Sequence, residues 1–414
     1  MSAKTIVVLG GGVGGLVAAN GLRRILPAHH RVILIERDEY HSFAPSFLWV
    51  MTGARTPEQI RRPIVSLVAT GVEIKHATVV SIDVKRSTVE SDRGSVAYDY
   101  LITALGAELA FDAVPGLRDA GHSFYTVTGA SKLHEALRVL KKGRIAVVIA
   151  SLPYKCPGAP LEGAMLIADF MRKTRRQNGV EVALYTPEPQ PMPVAGPILA
   201  EAALQMLQAR HISYHPLHRL LSVDSETKQL TFDGLGQVSY DLLVTIPPHR
   251  SPEVVRQSGL AAPSGWIPVD RATLRVQAEN VFAIGDVASI ALAGRWKPDA
   301  PLLLPKAGVF AHAQAMVVAD RIAAAITGRA SPATFCGDGY CMLEAGEDLA
   351  GFAYGNFFAE PTPDVRLKRI GRAWHIGKVL FETWWLTPPG WRRRGLEGLL
   401  NFGARLYGVP GVPL

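Results

Sequence analysis

The stretch Thr5-Ile6-Val7-Val8-Leu9-Gly10-Gly11-Gly12-Val13-Gly14-Gly15-Leu16 constrains the fold more than any other part of the chain. An apolar run stops at a glycine cluster, and an Ala-rich segment through Val17, Ala18, Ala19 and Leu22 follows. That pattern is strand, tight turn, helix. Gly10, Gly12 and Gly15 satisfy G-x-G-x-x-G. The first glycine permits the turn, the second lets the backbone approach a pyrophosphate, and the third lets the helix pack on the strand. The helix N-terminus then offers free N–H groups to phosphate. A second run, Arg31-Val32-Ile33-Leu34-Ile35-Glu36, ends in an acid 21 positions after Gly15. A ribose-binding acid belongs there. Together these features predict a dinucleotide site.

The chain's 414 residues leave room for two or three domains and a large core. Apolar residues make up 48% and charged residues 19%, a globular rather than a disordered composition. No stretch reaches the roughly 18 uninterrupted apolar residues of a membrane span. The opening carries no cationic and apolar leader pattern, so the chain is expected on the cytoplasmic side. The formal charge of +8 is diffuse, which argues against a nucleic-acid partner; its densest cluster is Trp391-Arg392-Arg393-Arg394. Three cysteines, Cys156, Cys336 and Cys341, are too few for a disulfide scaffold. They read as buried thiols or a small redox set, and no metal site is expected.

Beyond Glu36, the polar loop Arg37 to Ser46 is followed by alternating strands at Val72–Lys75, Thr78–Asp83 and Ser87–Ser91. The apolar run from Tyr98 ends in the small-residue turn Thr103-Ala104-Leu105-Gly106 and closes a first unit. A second unit opens with Arg144-Ile145-Ala146-Val147-Val148-Ile149-Ala150. Where its phosphate loop is due, the chain reads Ser151-Leu152-Pro153-Tyr154-Lys155-Cys156-Pro157-Gly158-Ala159-Pro160-Leu161-Glu162. Pro157 and Pro160 supply no N–H, so this loop is a poor phosphate cradle. A strand at Val180–Tyr185, a helix around Ile198–Ala209 and a closing strand at Tyr240–Ile246 follow. The same plan is thus expected twice, with the phosphate loop kept once and lost once.

These motifs together resemble the two-dinucleotide-binding-domain flavoproteins, the glutathione-reductase-like superfamily. Gly10, Gly12, Gly15 and Glu36 match its FAD phosphate loop and ribose acid. Thr103 to Gly106 is similar to its Ala-Thr-Gly-type turn. Val281-Phe282-Ala283-Ile284-Gly285-Asp286 is similar to its second flavin motif, whose Asp holds the ribityl chain. The resemblance covers about the first 325 residues. It implies an α/β fold with two Rossmann-like dinucleotide-binding domains in tandem, plus a C-terminal α+β region with an amphipathic tail. The expected boundaries are 1–110 and 251–328 for the FAD domain, 111–250 for the second domain, and 329–414 for a quinone- and membrane-associated region. Arg37, Pro45, Val80 and Lys306 are further cofactor contacts on this reading.

Within that superfamily the chain resembles the sulfide:quinone oxidoreductases. His41-Ser42-Phe43-Ala44-Pro45-Ser46, Cys156 to Glu162, Gly339 to Gly346, and Lys378 to Glu382 with Trp384 carry the likeness. Many members have a further cysteine near Thr126 to Ser131; this chain has none there. The resemblance implies a redox disulfide between Cys156 and Cys341, with Cys336 as a rival partner or a spare thiol. Sulfide would open that disulfide, FAD would take the electrons, and a membrane quinone would receive them. Glu162 is the expected proton acceptor, with His134 and His312 as lesser ones. Lys306 and the helix after it would stabilise negative charge on the reduced cofactor.

Phe352, Phe357, Phe358, Phe381, Trp384 and Trp385 form a late aromatic group suited to a flat quinone. Phe381 and then Phe357 are the expected contacts. Leu396, Leu399, Leu400, Leu406 and Tyr407 fall on one helical stripe, with Arg394, Glu397, Asn401 and Arg405 opposite. This predicts an in-plane helix on an anionic membrane and a peripheral protein on the cytoplasmic face. A homo-oligomer stays open. Three rival readings remain: a type II NADH:quinone dehydrogenase, the flavin subunit of a cytochrome-linked sulfide dehydrogenase, and a non-catalytic redox-sensing flavoprotein.

Overall fold

The computed structural model describes residues 2–297 and 300–412. Two five-stranded parallel sheets carry its first three quarters, and they share one plan. In the first, Thr5–Leu9 (β1), Arg31–Glu36 (β2), Val72–His76 (β3) and Tyr100–Thr103 (β4) lie beside the later strand Val281–Ala283. In the second, Gly121–His122 (β5), Gly143–Ile149 (β6), Val180–Tyr185 (β7), Ile212–His215 (β8) and Leu242–Ile246 (β9) run in the order β5-β9-β6-β7-β8. With Val281–Ala283 as β10, the first sheet reads β10-β4-β1-β2-β3. Position for position, β6 therefore stands where β1 stands. Each unit also carries a three-stranded antiparallel ribbon, at Val79–Ala97 and Leu220–Ser239. Strands buried on both faces must be apolar throughout, which is why Ile6–Leu9 and Ile145–Ile149 read as unbroken hydrophobic runs.

Helix Val13–Ile25 (α1) leaves the first glycine turn, and the short helix Phe47–Met51 (α2) follows the polar loop. Ala159–Lys173 (α3) starts just after Cys156, and Gly308–Thr327 (α4) packs lengthwise on α1 through Leu16, Leu22, Val318 and Ile322. That approach is close: a Cβ added at Gly21 would stand 3.1 Å from Ala319 Cβ. Among the described residues α4 is the one helix long and apolar enough to cross a membrane, but 61% of its apolar window is buried inside the protein.

The remainder is an antiparallel sheet of Asp338–Gly346 (β11), Leu349–Asn356 (β12) and Asp364–Gly371 (β13). Two helices follow, Arg372–Trp385 (α5) and Trp391–Tyr407 (α6). Leu343, Ala345 and Ala353 of this sheet share a core with Leu161, Ala164 and Met165 of α3. By that packing, one strand of the C-terminal region lies against the loop that replaced the second phosphate site.

The structure divides the apolar stripe expected on α6. Leu396 and Leu400 pack inward against the core of the first unit. Trp391, Leu399, Phe402 and Leu406 form a separate exposed row, at 49–77% exposure with Tyr407. Asn401, expected on the polar side, accepts the Val412 N–H at 3.0 Å and pins the returning C-terminal segment. A helix leaning on its own domain needs two apolar faces to meet a membrane as well.

Candidate functional site

One cavity of about 920 Å³ collects residues from both parallel units and the C-terminal region. Its nucleotide end is built by the glycine turn. Gly10 sits at φ +96, and a Cβ there would meet Ala104 O at 2.5 Å; one on Gly15 would meet Gly10 O at 1.7 Å. Neither position admits a side chain. Around Gly12 nothing lies within 4 Å of a would-be Cβ, so its backbone faces open space in the cavity. The N-termini of α1 and α4 both reach the cavity without a capping side chain. Glu36 accepts the N–H groups of Gly11 and Asp38, the latter at 2.9 Å. Open glycine backbone, two free helix N-termini and an acid at the end of β2 fit an adenine dinucleotide such as FAD.

Not every expected contact stands at this cavity. Pro45, Gly106, Gly285, Asp286 and Lys306 line it. Arg37 is exposed beside Asp38, and Val80 is 58% exposed on the antiparallel ribbon. Thr103 is fully buried at the end of β4, where its carbonyl accepts the Ile284 N–H at 3.0 Å. Thr103 therefore joins the two flavin-type motifs from beneath.

His41, quoted in the sequence only as part of a motif, is fixed on both nitrogens. Trp385 Nε1–H donates to its Nε2 at 2.8 Å, so its Nδ1 carries the hydrogen given to Gly11 O at 3.0 Å. Burial lowers its pKa to about 4 and keeps it neutral. His312 also lines the cavity; burial lowers it to about 4, and its Nδ1 has no protein partner. His134 lies elsewhere, its Nδ1 3.1 Å from Met51 O.

The sulfur end begins where the second phosphate loop was lost. Cys156 adopts φ +58, and its N–H donates to Lys306 O at 2.7 Å. That bond ties the cysteine loop to the segment that starts α4. Cys341 enters from β11: a Cβ on Gly158 would stand 3.7 Å from its Sγ and 2.4 Å from Leu343 Cδ2. A side chain at 158 would have to displace Leu343. Both cysteines line the cavity, and all three thiols in the chain are free. Cys336 is exposed and donates to Thr334 O at 3.6 Å, apart from the pair. The two sequence-distant cysteines line one cavity; the third does not.

Burial pushes the Cys156 thiol up to about 12, with the nearby Glu162 carboxylate acting in the same direction. Burial also holds the Cys341 thiol well above its ordinary value, with Glu162 and Cys156 acting in the same direction and Lys378 opposing. Glu162 is 2% exposed and accepts both the Lys378 ammonium and the Glu344 N–H, the latter at 2.9 Å. Burial lifts its carboxyl above the usual range, and Lys378 pulls it back. Burial also works against the Lys378 ammonium, but Glu162 and Glu344 more than offset it and raise its pKa. The charge balance of the pocket therefore depends on Lys378, which its sequence gave no chemical reason to select. Lys306 donates to Asp286 O at 2.5 Å and Ala288 O at 3.3 Å and lies 3.5 Å from the Trp266 ring centre. Burial lowers its pKa to about 8.

Phe357, Phe381, Trp385 and Val412 line an apolar wall of the same cavity, while Phe352, Phe358 and Trp384 face other packing. In the second unit, Glu188 follows β7 as Glu36 ends β2. Its carboxylate is used internally, accepting the hydroxyls of Tyr154 at 3.0 Å and Thr186 at 3.3 Å. Burial raises it to about 7. The proline-rich turn beside it, short of backbone N–H groups, makes a poor nicotinamide-dinucleotide site.

Residues 4–317 match the model of the pyridine nucleotide-disulphide oxidoreductase family. The chain is 28% identical over 304 residues to a mitochondrial sulfide:quinone oxidoreductase of Mus musculus, covering 69% of this chain and 66% of that protein's length. It is 29% identical over 402 residues to a sulfide-quinone reductase of Aquifex aeolicus, covering 93% of this chain and 90% of the other. A type II NADH:quinone oxidoreductase of Staphylococcus haemolyticus is 24% identical over 347 residues, covering 79% and 84%. The crystal structure of the Aquifex aeolicus sulfide:quinone oxidoreductase superimposes with a TM-score of 0.83 at 25% identity, over 97% of this chain and 95% of that one.

Proposed function

The chain belongs to the pyridine nucleotide-disulphide oxidoreductase family, and on that premise we propose that it is an FAD-dependent sulfide:quinone oxidoreductase. The observation that carries this reading is that Cys156 and Cys341 line one cavity with an intact phosphate loop and an apolar aromatic wall. In the oxidised enzyme the pair forms a disulfide. HS⁻ attacks one sulfur, forming a persulfide and expelling the other cysteine as a thiolate. Transfer of the persulfide's outer sulfur to a second sulfide leaves both cysteines as thiols, and FAD, when bound, would supply the two-electron acceptor that lets them re-form the disulfide and that passes the pair to the quinone.

The chain's own residues supply the setting. Gly10, Gly12, Gly15 and Glu36 would hold the dinucleotide, Asp286 and Gly285 would hold its central part, and Lys306 with the N-terminus of α4 would bring positive potential to it. Glu162 exchanges protons with the sulfur site. Phe381 and Phe357 flank the quinone ring. The exposed row Trp391, Leu399, Phe402 and Leu406 seats the protein on the membrane. Arg392 and Arg394 beside it favour an anionic cytoplasmic leaflet.

Anaerobic titration of the purified flavoprotein tests the reading. Sulfide is expected to bleach the flavin and decylubiquinone to restore it, while NADH leaves it oxidised. Cys156→Ser and Cys341→Ser each lower the rate of bleaching by sulfide by at least about a hundredfold, because no electrophilic disulfide can form. A flavin that sulfide leaves oxidised ends the proposal; rapid bleaching by NADH favours the type II dehydrogenase instead.

A further inference from the structure

Val412 lines the cavity with Phe357, Phe381 and Trp385, although it lies beyond the last helix in the chain. It packs against the same core as Phe381, Leu396 and Leu400. It gets there because the chain reverses at Gly408, φ +59, and doubles back along α6. The Val409 N–H donates to Ala404 O at 3.0 Å, and the Val412 N–H donates to Asn401 Oδ1 at 3.0 Å. These two bonds, to helix residues three positions apart, fix residues 409–412 as a strap. The fit at the second bond is close. A Cβ on Gly411 would stand 2.3 Å from Asn401 Oδ1, so a side chain there would push the Asn401 amide away.

The register of the two helices puts this strap at the aromatic wall. Trp374 of α5 meets Tyr407 of α6 with ring centres 5.1 Å apart. At the other end of the pair, the Arg393 guanidinium lies 4.7 Å from the Trp384 ring centre and 5.6 Å from that of Trp385. α6 therefore runs antiparallel to α5, and Asn401, between Arg393 and Tyr407, stands level with the middle of α5. Phe381 is on that stretch, its ring 5.8 Å from Phe43 and 5.3 Å from Trp384. The strap thus closes the wall on the side of α6, the helix that also carries the exposed apolar row.

We infer that residues 409–412, pinned by Asn401, form the α6 side of the quinone pocket and that Val412 limits the width of the ring that reaches Phe381. This rests on the sulfide:quinone reading above. Phe381 offers the quinone a flat face, and Val412 meets its edge. A β-branched side chain is stiff at χ1, and its backbone N–H is tied to the helix, so the stop yields little. Val412 touches the quinone. Asn401 and Gly411 do not; they are positioning residues that act through it.

The test compares two acceptors in detergent solution, where seating on a membrane plays no part: decylubiquinone and a naphthoquinone with the same decyl tail. Val412→Ala is expected to raise kcat/KM for the wider naphthoquinone, relative to decylubiquinone, by about tenfold, the size of effect that a methylene or two has in an apolar pocket. Asn401→Leu, which removes the acceptor of the Val412 N–H, shifts the ratio in the same direction. Asn401→Asp keeps that acceptor and the wild-type ratio. The rate at which sulfide bleaches the flavin, a step without quinone, stays within twofold of wild type in all three. A ratio within twofold of wild type in both Val412→Ala and Asn401→Leu, whether or not KM rises, overturns the strap's role and leaves the sulfide:quinone reading intact. A wild-type flavin that sulfide does not reduce, or that neither quinone reoxidises, overturns both.

Discussion

His41, His249 and His312 are buried in neutral form, with pKa values lowered by burial to about 4, 3 and 4. The unfolded chain protonates these rings below about pH 6.5 while the folded chain does not. Their contribution to stability is therefore complete above pH 6.5 and is lost as pH falls toward 4, by on the order of 1 kcal/mol per pH unit for each ring. Glu188, raised to about 7 by burial, works in the opposite direction over part of that range. Comparing a variant with wild type isolates the histidine. Urea unfolding of His312→Gln between pH 6.5 and 5 is expected to show a shallower loss of stability than wild type, by about one proton's worth. Equal slopes would mean that His312 is protonated in the folded protein.

At the scale of elements, β11 and α6 do what their sequences only half announce. β11 alternates, sending Cys341 to the sulfur site and Glu344 to α5. α6 presents Leu396 and Leu400 to the core and keeps Trp391, Leu399, Phe402 and Leu406 for the outside. Each large apolar side chain withdrawn from water contributes roughly 1.5–3 kcal/mol when fully buried. Replacing Leu399 and Phe402 together with Glu is expected to lower partition onto anionic vesicles by at least about tenfold in a sedimentation assay, with flavin content unchanged. Undiminished vesicle binding would place the membrane contact on another surface.

Across the whole molecule, the first unit is clasped to the C-terminal helices by a few polar bonds. Glu382 on α5 accepts Ser46 Oγ–H at 2.6 Å and Arg55 Nε–H at 3.0 Å, and Trp385 donates to His41. Glu382 is 5% exposed, so removing its carboxylate leaves Arg55 short of its partner in a partly buried place. Glu382→Ala is expected to cost about 2 kcal/mol, less than a fully buried pair because Arg55 keeps some solvent. Native-state trypsin digestion should then cut at Arg392–Arg394 roughly thirtyfold faster, since 1.4 kcal/mol is a tenfold change in the open population. Cleavage at the wild-type rate would show that the clasp is not what holds α5 and α6.

By itself the sequence determined the parts governed by local backbone rules. Gly10, Gly12, Gly15 and Glu36 lie within one strand–turn–helix–strand unit, and the prolines around Cys156 remove phosphate-binding N–H groups wherever that loop is placed. Duplication of the plan was legible because strands buried on both faces must be apolar. The likeness to known flavoproteins, rather than spacing, singled out Cys341. Lys378 reaches Glu162, and His375 reaches Glu344, only when α5 lies on β11 and β11 on α3, contacts that span more than 180 residues between Glu162 and Glu344. The two faces of α6 were merged because a helical wheel records periodicity but not which neighbour each side will meet. Only tertiary packing decided which thiols share a pocket, which charges are buried together, and which apolar row stays exposed, because burial and distance are properties of the assembled fold.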